Sequence, residues 1–197
     1  MRLYFRLFLF ISIFSLSFLS CQKDYPICPT VGLENGNLTT DEMDIYSAII
    51  EEFHKNAQIH IIQQTYEDPD SAGDANYVFD ILESNSLIID TILVGIYAGN
   101  NTVSLDLLNN AGFNLIHQKE IDCMFSIGCA EGWDSYYHKY KKSTGFIKFN
   151  RSGIYKNTAI LDYGIYSHCL AAEGFFVVLK KTDGKWKVEK RVSTWIS

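Results

Sequence analysis

His168 and Cys169 are adjacent, and a thiol beside an imidazole is the first pairing in this chain that could do chemistry, as an activated nucleophile. Neighbouring residues on a strand point to opposite faces, so the two meet only if the segment turns, and no catalytic role is assigned to them. Asp162 and Glu173 are the next candidates. In a curved sheet they would line a pocket with Tyr163 and Tyr166, where a buried carboxylate of raised pKa serves as a general base. The plainer assignment, adopted here, has Asp162 facing water on an edge and Glu173 capping a turn. Cys123 and Cys129 enclose Met124-Phe125-Ser126-Ile127-Gly128, the wrong spacing for a standard zinc knuckle and a loop that Gly128 could close. Trp133, Tyr136, Tyr137 and Tyr140 recur at i, i+3, i+4 and i+7, an aromatic stripe read as core and not as a sugar platform.

Among the other histidines, His60 stands in an apolar run and reads as a packed or edge residue. His54 reads as part of a polar helix face, and His117 and His138 as surface residues. The chain contains no G-x-S-x-G elbow, no phosphate-cradling glycine loop, no C-x-x-C, no H-E-x-x-H and no EF-hand loop. No catalytic, cofactor-binding or metal-ligating residue is nominated, and no cofactor is expected.

The elements that must position these residues follow from period and punctuation. Thr39 with Glu42 three residues on is a capping box, and Met43, Tyr46, Ile49, Ile50 and Phe53 continue at helical spacing, so residues 40–55 are expected to be an amphipathic helix. Ile59 to Ile62 is a short strand, Tyr77 to Leu82 a helical turn, Leu87 to Tyr97 a helix stopped at Gly99-Asn100, and Leu115 to His117 a short strand. A third helix carries the aromatic stripe. Four strand-like runs then follow, Gly145–Arg151, Thr158–Tyr166, Gly174–Lys181 and Lys185–Trp195. Asp183-Gly184 between the last two is a hairpin signal, because both turn residues must accept positive φ. Alternation fails after Lys190, which predicts a bulge before Trp195. Trp186 is expected to pack against Phe175 or Val177, and Trp195 to be buried. The expected fold class is α+β: N-terminal helices packed on one face of a C-terminal four-stranded antiparallel β-meander.

The N-terminus carries an address. Arg2 and Arg6 precede a thirteen-residue apolar run, Leu7 to Leu19, which is too short to cross a bilayer and suits a signal h-region. Ser20-Cys21 follows, which resembles a bacterial lipoprotein processing site with Cys21 as the lipidated residue. The expected organisation is a signal peptide at 1–20, a flexible tether at 21–39 rich in Pro, Gly, Asn and Thr, and one α+β domain at 40–197. Lys23-Asp24 after the cysteine resembles the export signal of Bacteroidota surface lipoproteins. Asp70-Ser71-Ala72 resembles a short O-glycosylation motif of their exported proteins.

Removing Arg2 and Arg6 with the leader takes Lys+Arg from 17 to 15 against 23 Asp+Glu, so the net charge moves from −6 to −8. Such a surface excludes nucleic acid as a partner and offers no polybasic stripe for an anionic membrane, which leaves the lipid as the anchor. With 47% hydrophobic and 14% aromatic residues the chain can build a substantial core. Once Cys21 is lipidated, Cys28, Cys123, Cys129 and Cys169 remain. Export permits disulfides among them, with three possible connectivities that sequence does not separate. Cys28, in the tether, is expected to stay unpaired or to pair late.

Gly132-Trp133-Asp134-Ser135-Tyr136-Tyr137, Gly145, Cys169 with Gly174, Asp183-Gly184-Lys185-Trp186 and Trp195-Ile196-Ser197 together resemble an uncharacterised family of exported bacterial proteins, chiefly from Bacteroidota. Leu170-Ala171-Ala172 departs from that pattern, where a second Cys and Gly are usual. A looser likeness is to NTF2-like and cystatin-like domains, at the level of fold alone. The expectation is a non-enzymatic binding lipoprotein held at the outer membrane or cell surface through Cys21, with an unknown protein or small molecule as ligand. The alternatives are a small pocket enzyme and an inhibitor or immunity-type lipoprotein.

Overall fold

The computed structural model describes residues 25–32, 38–62, 65 and 75–197. The leader, Cys21, Lys23-Asp24 and Asp70-Ser71-Ala72 lie outside the described residues.

Helix α1 spans Thr40–Phe53 and starts as its sequence requires. Thr39 Oγ1 accepts from Glu42 N at 3.2 Å and Glu42 Oε2 accepts from Thr39 N at 2.9 Å, closing the capping box. Ile45, Tyr46, Ile49 and Ile50 are buried on its inner side. Strand β1 (Ile59–Ile62) follows. Then come helices α2 (Ala75–Ser84), α3 (Thr91–Ala98) and α4 (Leu107–Asn110), strand β2 (Leu115–Ile116), and helices α5 (Gln118–Phe125) and α6 (Cys129–Lys139). The last third of the chain is strands β3 (Gly145–Phe149), β4 (Gly153–Tyr155), β5 (Thr158–His168), β6 (Ala171–Thr182) and β7 (Lys185–Ile196).

The fold is α+β with the helices N-terminal, as expected, but the sheet is larger than a four-stranded meander. Among the described residues it has seven strands, in the order β2-β1-β3-β5-β6-β7 with β4 also pairing β5. β3, β5, β6 and β7 are antiparallel, whereas β1 runs parallel to both β2 and β3. The parallel pairings need the long α2–α3–α4 crossover between β1 and β2. β3 and β4 lie end to end along β5, and the break between them falls at Asn150-Arg151-Ser152.

Helices cover both faces of the sheet, not one. On one face Tyr46 of α1 packs on Phe149, and Phe149 on Tyr163. On the other, Trp133 of α6 stacks on Phe146, and Tyr97 of α3 donates a hydrogen bond to Asp162. Residues 146 and 166 face each other in the register, as do 149 and 163, so odd and even positions of β5 belong to opposite layers.

Helix α3 begins at Thr91, later than its apolar run suggested, because the Asp90 side chain caps it by accepting from Ile92 N at 3.0 Å. Leu93, Val94 and Tyr97 are buried, while Ile92 and Ile96 lie at the surface with Ile88. A run this uniformly apolar does not mark its own inner face.

The β6–β7 hairpin forms as expected. Asp183 and Gly184 both have positive φ, 53° and 75°, the requirement of a type I′ turn. The register slips between Gly174 and Phe175, leaving Thr194 as an extra residue on β7, which is the bulge expected before Trp195; a second slip leaves Glu189 extra. Trp186 does not lie across from Phe175 or Val177, as alternation predicts. Trp186 faces Lys181, while Phe175 and Val177 face Ser193 and Arg191. It is buried nonetheless, with Nε1 donating to Asp41 Oδ1 at 3.1 Å, and so clips the hairpin to α1. Trp195 is half-buried rather than buried.

Candidate functional site

Five aromatic rings from α6 and three strands form one continuous ladder. Tyr137 stacks on Trp133 at 5.5 Å between centroids, Trp133 on Phe146 at 5.1 Å and 13°, and Phe146 on Tyr166 at 5.4 Å and 21°. Trp195 completes it, tilted against Tyr166 at 6.0 Å. Each ring is placed by a different local rule. Trp133 and Tyr137 share a face of α6 at i, i+4 spacing. Phe146 and Tyr166 are cross-strand partners of β3 and β5. Trp195 is set by the β7 bulge.

Four of these rings line a groove of about 340 Å³ with Gln118, Asp122, Lys148, His168 and the Cys129 and Cys169 sulfurs around it. Trp133 and Phe146 are buried in its floor, and Tyr166 and Trp195 are half-exposed along its side. Lys148 Nζ lies 5.6 Å from the Tyr166 ring centroid and 6.0 Å from that of Phe146, so its cation rests on π faces. Burial draws the Lys148 ammonium below the usual lysine range, and the charge of Asp122 pulls the other way. A groove with flat apolar faces, one cation and a rim of amide and carboxylate groups is equipped to hold a ligand.

The cysteines pair as Cys28–Cys123 and Cys129–Cys169. Cys123 and Cys129 do not close the short loop between them, although Gly128 does take a positive φ there. Cys28 is not left unpaired. It is bonded to α5, while Tyr25 stacks on His138 of α6 at 4.4 Å. The second bond ties the first residue of α6 to the β5–β6 turn and walls one end of the groove. Two disulfides place this chain in an oxidising, non-cytoplasmic compartment.

The cystine at Cys169 removes the thiol that His168 could have activated, and His168 is exposed. Asp162 does not face water on an edge. It is 5% exposed, faces the break between β3 and β4, and accepts hydrogen bonds from Tyr97 Oη and Asn150 Nδ2. Burial and the adjacent carboxylate push the Tyr97 phenol well above its ordinary pKa, so Tyr97 remains a donor. The structure does not gather Asp162, Glu173, Tyr163 and Tyr166 around one pocket, because successive β5 residues fall in opposite layers. Glu173 lies within β6 and accepts from Ser193 Oγ at 3.2 Å instead of capping a turn.

His54 is not on a wet face. Helix α1 ends at Phe53, and His54, its C-cap, turns inward to place Nε2 3.3 Å from Tyr163 Oη. Burial first, then the Arg191 charge, lowers its pKa to about 4. His117 is buried as the N-cap of α5, with Nδ1 accepting from Lys119 N at 3.1 Å. Helix α5 had no recognised start signal for that reason: histidine is outside the usual capping set.

A second cleft, of about 490 Å³, opens where β1 meets the turn after α6, lined by Gln58, His60, Asn114, Lys141, Lys142 and Ser143 among others. His60 Nδ1 lies 2.9 Å from Tyr136 Oη and 3.1 Å from Ser143 Oγ, so His60 is a half-buried, hydrogen-bonded residue at the sheet's rim. Among the described residues no group of three or more His, Cys, Asp or Glu could hold a metal, and no helix is long and apolar enough to cross a membrane. No family model, no curated protein and no solved structure matches this chain.

Proposed function

We propose that this chain is a lipid-anchored lipoprotein of the bacterial cell envelope that works by binding, with the Trp133–Phe146–Tyr166–Trp195 groove as its ligand site. The aromatic groove with Lys148 at its side is the observation that carries the reading. It suits a ligand with a flat, weakly polar face, such as a sugar ring or an aromatic side chain, and an acceptor group within reach of Lys148. Binding is favoured over catalysis because the two candidate reactive groups are otherwise engaged: Cys169 in a disulfide, Asp162 in a closed hydrogen-bonded cluster. The anchor reading rests on Leu7 to Leu19 and Ser20-Cys21, and the two disulfides agree with an exported chain.

Two of the three tryptophans, Trp133 and Trp195, line the groove, so occupancy changes tryptophan emission. Envelope extracts fractionated by this signal should yield a component that shifts the wild-type protein and leaves a Trp195→Ala, Lys148→Glu variant unaffected. Equal responses from both proteins would place the ligand elsewhere. For the anchor, Cys21→Ala should abolish fatty-acid labelling and release the protein from membranes. A variant that still fractionates with membranes, beside a native protein that takes up no lipid label, refutes it.

A further inference from the structure

We infer that the second cleft, between β1 and the Tyr140–Gly145 turn, is an oxyanion site that takes the phosphate group of a phosphate ester. Lys141 and Lys142 stand on its rim, both exposed. Lys139, Lys180, Lys181 and Arg151 each pair with a carboxylate, whereas among the described residues Lys141 and Lys142 have no acidic partner. Glu120, a buried acid near this corner, is occupied by Lys139 and Tyr140 and does not neutralise them. The result is a local positive cluster on a chain whose overall charge is negative.

The floor supplies directed donors. Tyr136 and Ser143 have two hydroxyl protons to place, and each is within reach of Gly145 O, at 2.7 and 2.9 Å, and of His60 Nδ1. The two hydroxyls also lie 2.8 Å apart, and of the proton placements open to this network the one with Tyr136 donating to Gly145 O and Ser143 to His60 Nδ1 sets the ring proton on Nε2, the tautomer assigned here. Burial lowers the pKa of His60 against the opposing charge of Glu120, so the ring is uncharged at neutral pH, and in the assigned tautomer its Nε2, which no described residue engages, is an N–H donor. Gln58 and Asn114 add side-chain amides to the lining. Two ammonium groups, an imidazole N–H and two amides match a group with three acceptor oxygens and up to two charges better than a carboxylate with two oxygens and one. At about 490 Å³ the cleft also has room for the esterified alcohol. This site is separate from the aromatic groove, and neither reading depends on the other.

The test uses the full protein extracted from cells in mild detergent, at fixed pH and ionic strength, with the His60 ring followed by NMR. Three probes distinguish the source: inorganic phosphate, glycerol phosphate, and a short-chain phosphatidylglycerol below its micelle concentration. The expected result is one saturable site that shifts the His60 ring resonances, with chloride at equal ionic strength giving no saturable shift. Response to glycerol phosphate identifies a free ester, and response to the lipid alone a headgroup; both support the site. The Lys141→Glu, Lys142→Glu variant should bind about tenfold or more weakly while melting where the wild type does, and Lys141→Gln, Lys142→Gln should fall between. No saturable shift of His60 with any of the three probes overturns the inference, as does undiminished affinity in the charge-reversed variant.

Discussion

The indole of Trp195 lies against the backbone of Gly174 on the facing strand, so close that a methyl group built at Gly174 would come within 2.0 Å of Trp195 Nε1. The glycine makes room for a ring, and the ring is the outer member of the groove's aromatic ladder. Gly174→Ala should therefore swing Trp195 away and cost about 1–3 kcal/mol, the range for overpacking. Tryptophan emission would report the displacement and thermal melting the cost. A variant unchanged in both would mean that Trp195 does not seat on Gly174.

The disulfide pairing is open to direct mapping. Non-reducing peptide analysis should recover Cys28–Cys123 and Cys129–Cys169 links, and no Cys123–Cys129 link. Losing the longer-range Cys28–Cys123 bond should cost about 2–5 kcal/mol, by the usual value for small exported domains. Cys129→Ser with Cys169→Ser should loosen the groove wall, so ligand response falls before the fold is lost. Four alkylatable thiols in the mature protein would sink the assignment.

His54 gives the fold a dependence on mild acid. Its folded pKa, about 4, lies below the ordinary imidazole value of 6.5, so the unfolded chain binds the extra proton first. Its contribution is present above pH 6.5 and is lost as pH falls towards 4. The lost stability is on the order of 1–3 kcal/mol. Denaturant titrations of the wild type and a His54→Gln variant between pH 7 and 5 should show a slope in the first that is reduced in the second. Glu42, where burial raises the pKa but the hydrogen bonds and charge from Arg151 and Thr39 together bring it below 4.5, adds its own loss only below that range. Parallel slopes would refute the assignment to His54.

Trp186→Ala should cost about 3–5 kcal/mol, as for large aromatic truncations in cores. Asp41→Ala should cost less, since it removes the Trp186 and Lys181 contacts and creates no cavity. Truncation before Lys185 should give no cooperative melt, because β6 loses its whole β7 partner and α1 loses its clip. A truncated chain that melts near the full-length temperature would contradict this.

The β6–β7 hairpin was legible because its information is local: Asp183-Gly184 needs only its own φ angles, and alternation is visible within a dozen residues. The same holds for Thr39 and Glu42 at the start of α1. β1 and β2 were legible as short strands, but four and two residues carry no sign of their neighbours, and their parallel partners lie far along the chain. Trp133 and Tyr136 were rightly read as core. The groove that Trp133 borders was not visible, because Phe146, Tyr166 and Trp195 reach it from three strands whose registers exist only in the folded sheet. His54 was misplaced by one turn of geometry, since a helix that ends at Phe53 no longer dictates where residue 54 points.

The position of β1 between β2 and β3 also sets an order of events. A chain made N-terminus first presents Ile59–Ile62 early, yet its partner β3 begins only at Gly145. The β5–β6–β7 hairpins close over short loops and can form as soon as they emerge, while the β3 side of β1 must wait for the last third of the chain. Ile61 and Ile62, buried in the folded sheet, lack the cover of β3 until then. The newly made chain thus passes through an interval in which the β3 side of β1 stands open, and a segment this apolar is exposed to association with other chains until Gly145–Phe149 arrives.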